Sequence, residues 1–139
     1  MLPEWPPGTV AVLATQGERP HAIPVSTAVR VDGRRLLLAL ARSRASLSRL
    51  RADPHVALVV LCEGDVACTV HGRARVLAEA LDGAPAVAGV LLEAERVQDH
   101  RRPAFRIDGG VAWRWLDEEA TARDGAVREA LQALAAAAG

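Results

Sequence analysis

Arg42, Ser43, Arg44 and Ser46 stand together where an unbroken apolar run gives way to a short helical pattern, within LLLALARSRASLSRLRADP from Leu36 to Pro54. The first turn of a helix leaves backbone N–H groups unpaired, and its dipole favours an anion. Two guanidiniums beside that turn add charge-assisted, potentially bidentate hydrogen bonds, and two hydroxyls add more donors. The chemistry this spacing suits is the seating of a phosphate. The same residues also suit a solvated basic turn in which Ser43 is an ordinary N-cap.

A second group lies in VACTVHGRARVLA, where Thr69, His71, Arg73 and Arg75 share one face of an alternating stretch. His71 with Arg73 reads as a hydrogen-bonding wall of a cofactor or substrate pocket, or as a solvent-facing sheet surface. The other histidines, His21, His55 and His100, have neither helical spacing nor cysteine partners, so no metal site is expected. No G-x-S-x-G elbow, CxxC pair or Walker loop occurs, which leaves the familiar hydrolase, zinc and P-loop chemistries without a motif. Cys62 and Cys68 flank Glu63-Gly64-Asp65, and a hairpin centred on Gly64 sets Cys68 opposite Val60, a register unsuited to a disulfide. No catalytic side chain is named.

The elements that must position these groups follow from periodicity. Leu36 to Ala41 is apolar throughout and reads as an interior strand. The helix after it has Leu47 and Leu50 on one edge and stops at Asp53, because the residue before Pro54 is pushed out of the α region. Gly8 to Thr15 is a first strand. Pro20 to Val31 reads as one alternating strand, with His21, Ile23, Val25, Thr27, Val29 and Val31 on one face. Pro24 within it has no N–H for a ladder and argues for an edge or a bulge. Asp32-Gly33 signals a hairpin into the Leu36 strand. His55 to Cys62 and Val66 to Ala78 are further strands, Leu81 to Ala86 a loop, and Val87 to Val97 is ambiguous, with strand chosen for its later half to hide a sheet edge. Ala104 to Trp115 reads as two strands around Gly109-Gly110, with Trp113 and Trp115 on one face as buried core, or as a dimer or cofactor-edge contact. Asp117 caps a C-terminal helix carrying the i,i+4 pairs Glu119–Arg123 and Asp124–Arg128. The expected fold is mainly β, a closed or partly closed antiparallel barrel with one short crossover helix and one terminal helix.

The chain has 139 residues, 50% of them hydrophobic, and a formal net charge of zero. That length suits a single domain over residues 1–139, and the balance of charge disfavours a polyanionic partner. With 3% aromatic residues there is little to stack on bases, so nucleic acid is not an expected partner. No apolar run approaches the ~18 residues needed to cross a bilayer, and MLPEWPPG is no signal peptide, so a membrane is not expected and the location expected is cytoplasmic.

The order of elements and the text of GTVAVLAT, PHAIPVSTAVRVDG, LRADPHVALVV and VHGRARV together resemble the pyridoxamine 5′-phosphate oxidase-like FMN-binding split-barrel family. The resemblance covers Gly8 to about Ala78. It implies a Greek-key-like split β-barrel homodimer holding FMN, or a deazaflavin, at the subunit interface. It further implies that Pro24, Val25 and Ser26 lie along the flavin ring, while Leu40, Ala41 and the turn Arg42, Ser43, Arg44 and Ser46 contact the pyrimidine edge and the phosphate. The function so implied is oxidoreduction of a small-molecule substrate. The alternative is a binding module that has lost FMN and holds a deazaflavin, haem, another ligand or no cofactor. Members of the family commonly have a hydroxyl where this chain has Leu40 and a lysine where it has Ser46. Arg42 and Arg44 are the residues expected to replace that lysine, and Ser46 is expected to face the phosphate.

Overall fold

The computed structural model describes residues Met1–Gly139. One antiparallel sheet of seven strands curls into a half-barrel, and two helices complete the chain. The strands are β1 (Ala11–Thr15), β2 (His21–Val25), β3 (Val29–Arg30), β4 (Arg35–Ala41), β5 (His55–Cys62), β6 (Val66–Ala78) and β7 (Val87–Asp99). The helices are α1 (Ala45–Ala52) and α2 (Glu118–Ala138). Across the sheet the order is β2-β1-β5-β6-β7-β4-β3, so β2 and β3, neighbours in sequence, are its two edges.

Alternation decides the inner face. Leu13 on β1, Ile23 and Val25 on β2, Leu36, Leu38 and Leu40 on β4, Leu58 and Val60 on β5, Val70 on β6 and Val90 on β7 enter one core. Leu47 and Leu50 of α1 join it, so the short helix that connects β4 to β5 packs on this core. The convex face of β4 and β7 has its own cover: Leu37 and Leu91 meet Ala130 and Leu131 of α2. The convex face of β1 and β5 has none. Val12 is 40% exposed and Leu61 48%.

The hairpin centred on Gly64 forms as expected, with Gly64 at φ +82 and Asp65 at φ +57, and the register sets Val60 opposite Cys68. Both cysteines are buried and unbridged, and burial pushes both thiols up from their ordinary pKa. Asp53 ends α1, Asp117 accepts from the N–H of Ala120 to start α2, and both i,i+4 pairs on α2 form.

The structure departs from the sequence expectations in five places. Pro20 to Val31 is not one strand, because the ladder with β1 ends at Val25 and the chain crosses to the opposite edge before β3. Residues 87–99 are strand throughout, since both β4 and β6 pair with β7 and outweigh its helix-favouring alanines and glutamates. Ala104 to Trp115 forms no strands. It runs as a strap tied to the Gly64 hairpin by Asp65 and Ile107, which exchange bonds of 2.8 and 3.0 Å. Trp113 and Trp115 are accordingly not core: they are 38% and 44% exposed, stacked edge to face at 5.2 Å. Finally, Arg44 rather than Ser43 is the N-cap of α1, with extended backbone and no side-chain capping bond.

Candidate functional site

The β4–α1 junction is held by main chain. The Arg42 N–H donates to Ala86 carbonyl oxygen at 3.0 Å and the Arg44 N–H to Ala41 at 2.9 Å, which bends the strand end into the helix. Arg42, Ser43 and Arg44 are all exposed there. Arg42 Nη1 reaches the Pro85 carbonyl at 3.4 Å, a long bond to a neutral acceptor. The first turn of α1 carries no acidic residue. Positive charge is thus concentrated at the end of a helix that already favours an anion. Leu40 points into the core at 3% exposure, and Ala41 is half-buried.

Ser46 lies on the other side of the helix. It is fully buried, and its hydroxyl sits 3.5 Å from His21 Nδ1. Thr15 Oγ1 is 3.3 Å from the same nitrogen and accepts from Arg49 Nε at 3.3 Å. The Arg49 guanidinium also donates to the Arg19 carbonyl. This polar knot of Thr15, His21, Ser46 and Arg49 ties α1 to the β1–β2 hairpin beneath the basic turn. No local sequence pattern assembles it. The available signal was the parity that set His21 on the face of Ile23 and Val25, since an inward polar side chain needs a partner.

Pro24 is exposed on the edge strand β2, opposite Val12, as its missing N–H requires. Val25 is buried, and the half-buried Ser26 accepts at its carbonyl from Arg128 Nη2 at 3.0 Å.

His71 and Arg73 belong to a different locality. His71 is half-buried on the convex face and donates through Nε2 to Gln98 Oε1 at 3.2 Å. It lines a cleft of about 290 Å³ with Ala14, Gln16, His55, Gly72 and Glu95. Arg73 is exposed opposite His55. His55 pairs with Asp53 at 2.8 Å, and bonds from the His55 N–H and ring hold the Asp53 carboxyl below its ordinary range. His55 follows the C-terminal end of α1, whereas the basic turn precedes its N-terminal end, and the eight residues between span about 12 Å. Within the chain the expected residues therefore form two groups, the basic turn and the His71 cleft. No cluster of histidine, cysteine and carboxylate has the geometry to hold a metal ion, and no helix is long and apolar enough to cross a membrane.

The model of the pyridoxamine 5′-phosphate oxidase family matches residues 2–113, most of the chain and all seven strands. No curated protein matches by sequence. Among solved structures, a candidate pyridoxamine 5′-phosphate oxidase from Listeria innocua superposes with a TM-score of 0.57 at 17% identity, over 68% of this chain and 90% of its own. An F420 reductase gives 0.57 at 15% identity, over 66% and 90%. An FAD-binding protein from Mesorhizobium loti gives 0.52 at 18% identity, over 64% and 81%. At such identities the likeness is one of fold.

Proposed function

The chain belongs to the pyridoxamine 5′-phosphate oxidase family, and from that premise we propose that it is a homodimeric, FMN-binding oxidoreductase acting on a small molecule. The observation that carries the reading is the basic turn: Arg42 and Arg44 stand exposed at an acid-free helix start, with Arg42 engaged only weakly by a carbonyl. That donor set fits a phosphate monoester. Arg42, Ser43 and Arg44 would hold it, and Pro24, Val25 and Ser26 would border the ring, with Val25 contributing backbone because its side chain is buried. Leu40 would contribute backbone alone for the same reason, and Ser46 is too deeply placed to take the phosphate. A bound flavin supplies hydride transfer. The chain's own residues bind and orient it.

The uncovered convex face supports the dimer. Val12, Leu61, Phe105, Val111, Trp113 and Trp115 are exposed on β1, β5 and the strap, where a partner of like chemistry would bury them. Free, buried cysteines suit a reducing compartment, which we take to be the cytoplasm.

Reconstitution tests the reading. Purified protein is titrated with FMN, riboflavin and a deazaflavin, with fluorescence quenching and the absorbance of the bound ring as readouts. FMN binding well ahead of riboflavin is expected. Binding of the deazaflavin alone would move the function to the deazaflavin reading, and binding of none would discard a flavin role.

A further inference from the structure

The half-barrel is open between its edge strands, and the chain crosses that seam at Ser26, Thr27 and Ala28, between β2 and β3. No ladder holds this crossing, since pairing with β1 ends at Val25 and pairing with β4 begins at Val29. Side-chain hydrogen bonds with distant parts of the sequence hold it instead. Thr27 Oγ1 accepts from the Ala39 N–H at 2.9 Å, Trp5 Nε1 donates to the Ala28 carbonyl at 2.9 Å, and Arg128 Nη2 donates to the Ser26 carbonyl at 3.0 Å.

Arg128 differs from the other two in its origin. It stands on α2, outside the residues 2–113 matched to the family. Its guanidinium is fixed from behind by Asp124, at 2.7 Å, and the two side chains are only 24% and 15% exposed. α2 is itself seated by Leu131, 1% exposed, against Leu37 and Leu91. A delocalised guanidinium with one side paired to a carboxylate presents its remaining N–H groups in a fixed fork. The carbonyl it grips is the last atom of the segment along which the flavin ring would lie.

We propose that Arg128 is a positioning residue for the cofactor: α2, outside the residues matched to the family, sets the Pro24–Ser26 border of the flavin site through the Asp124–Arg128–Ser26 chain. The proposal rests on the flavin reading given above. It acts on the ring and not on the phosphate, so it is separable from the role of Arg42 and Arg44.

The test compares the full-length chain with Arg128→Ala and Arg128→Lys. Each is assayed for FMN and riboflavin affinity, for thermal midpoint, and for the visible circular dichroism of the bound flavin at saturation. Arg128→Ala should weaken FMN and riboflavin by the same factor, about tenfold, the worth of one fixed charged hydrogen bond. It should also alter the dichroism of the bound ring, and lysine, which keeps the charge and a donor, should restore both. A lowered midpoint with wild-type affinity and dichroism would show that Arg128 only braces α2, and would overturn the proposal. If the alanine variant does not fold, Arg128→Lys and Arg128→Gln decide: lysine should exceed glutamine in affinity for both ligands, and equal affinities overturn the proposal. Failure of the unaltered protein to bind any flavin removes the flavin reading and the positioning role together, an outcome distinct from normal binding that is indifferent to Arg128.

Discussion

Arg42 and Arg44 gain their meaning from what is missing around them. No carboxylate occupies the first turn of α1, and the one acceptor in reach of Arg42 is a peptide carbonyl at 3.4 Å. Replacing both by alanine should therefore reduce FMN affinity by at least an order of magnitude, at about 1.5–3 kcal/mol for each charged hydrogen bond lost. Riboflavin, lacking the phosphate, should bind the variant nearly as it binds the unaltered protein, and titrating the two ligands side by side checks this. An equal loss for both would mean that the arginines only support the turn. Ser46 shows the limit of such residue-level reading: spacing places it in the first turn of α1, but the turn's rotation against the barrel sends its hydroxyl to His21. At the other end of β7, Asp99 accepts from Arg101 Nε at 3.0 Å, Nη2 at 2.7 Å and the Arg101 N–H at 2.9 Å, which lowers its carboxyl from 3.8 to about 2. A carboxyl depressed in the folded state stabilises it above the unfolded pKa, and that contribution is lost as pH falls from about 3.8 toward 2. A carboxyl-carbon NMR titration should find Asp99 ionised at pH 3, and Arg101→Ala should return it toward its ordinary value.

Among the elements, β6 and β7 show how one glycine shapes the site. Their register shifts between His71 and Gly72, leaving Glu95 without an opposite residue and turning it into the cleft with His71 and His55. At Gly72 the two backbones approach so closely that a Cβ would collide with the Glu93 carbonyl. Gly72→Ala should thus destabilise the fold by about 1–3 kcal/mol, the usual cost of overpacking, measured as a lower urea midpoint. A variant as stable as the parent would show that the bulge relaxes freely. Alternation alone sets Gly72 on the face of β6 opposite to His71 and Arg73, but the bulge depends on β7, twenty residues away, and no local pattern announces it. The strap is the converse case. Phe105, Ile107, Val111, Trp113 and Trp115 alternate as a strand would, yet apart from a turn bond to Arg102 the stretch is tied to the chain by bonds with Asp65 and Gly8. Alternation reports that one side of a segment wants cover, and it does not say that a ladder will supply it.

At the scale of the whole molecule, α2 covers the convex face of β4 and β7 while that of β1 and β5 stays open. Light scattering at micromolar concentration should therefore give twice the 14.7 kDa chain mass. Leu61→Arg should shift it toward monomer, since a buried, unpaired charge at an apolar contact costs several kcal/mol. A monomer in the unaltered protein would leave the exposed tryptophans unexplained. Features that depend on neighbours along the chain are legible without the fold. Asp53 before Pro54 ends a helix, Gly64 turns a hairpin that parts Cys62 from Cys68, and parity sorts Leu36, Leu38 and Leu40 to one side of β4. Those features, with the family text, were enough for a mainly β half-barrel with a crossover helix and a terminal helix. Only the tertiary structure decided that β2 and β3 lie at opposite edges, that Ser46 faces inward, that His71 stands apart from the basic turn, and that Arg128 reaches the seam. The reason is that these placements rest on pairings between residues distant in sequence. Backbone ladders and buried apolar area select those pairings for the chain as a whole, whereas turns, caps and alternation are fixed within a few residues.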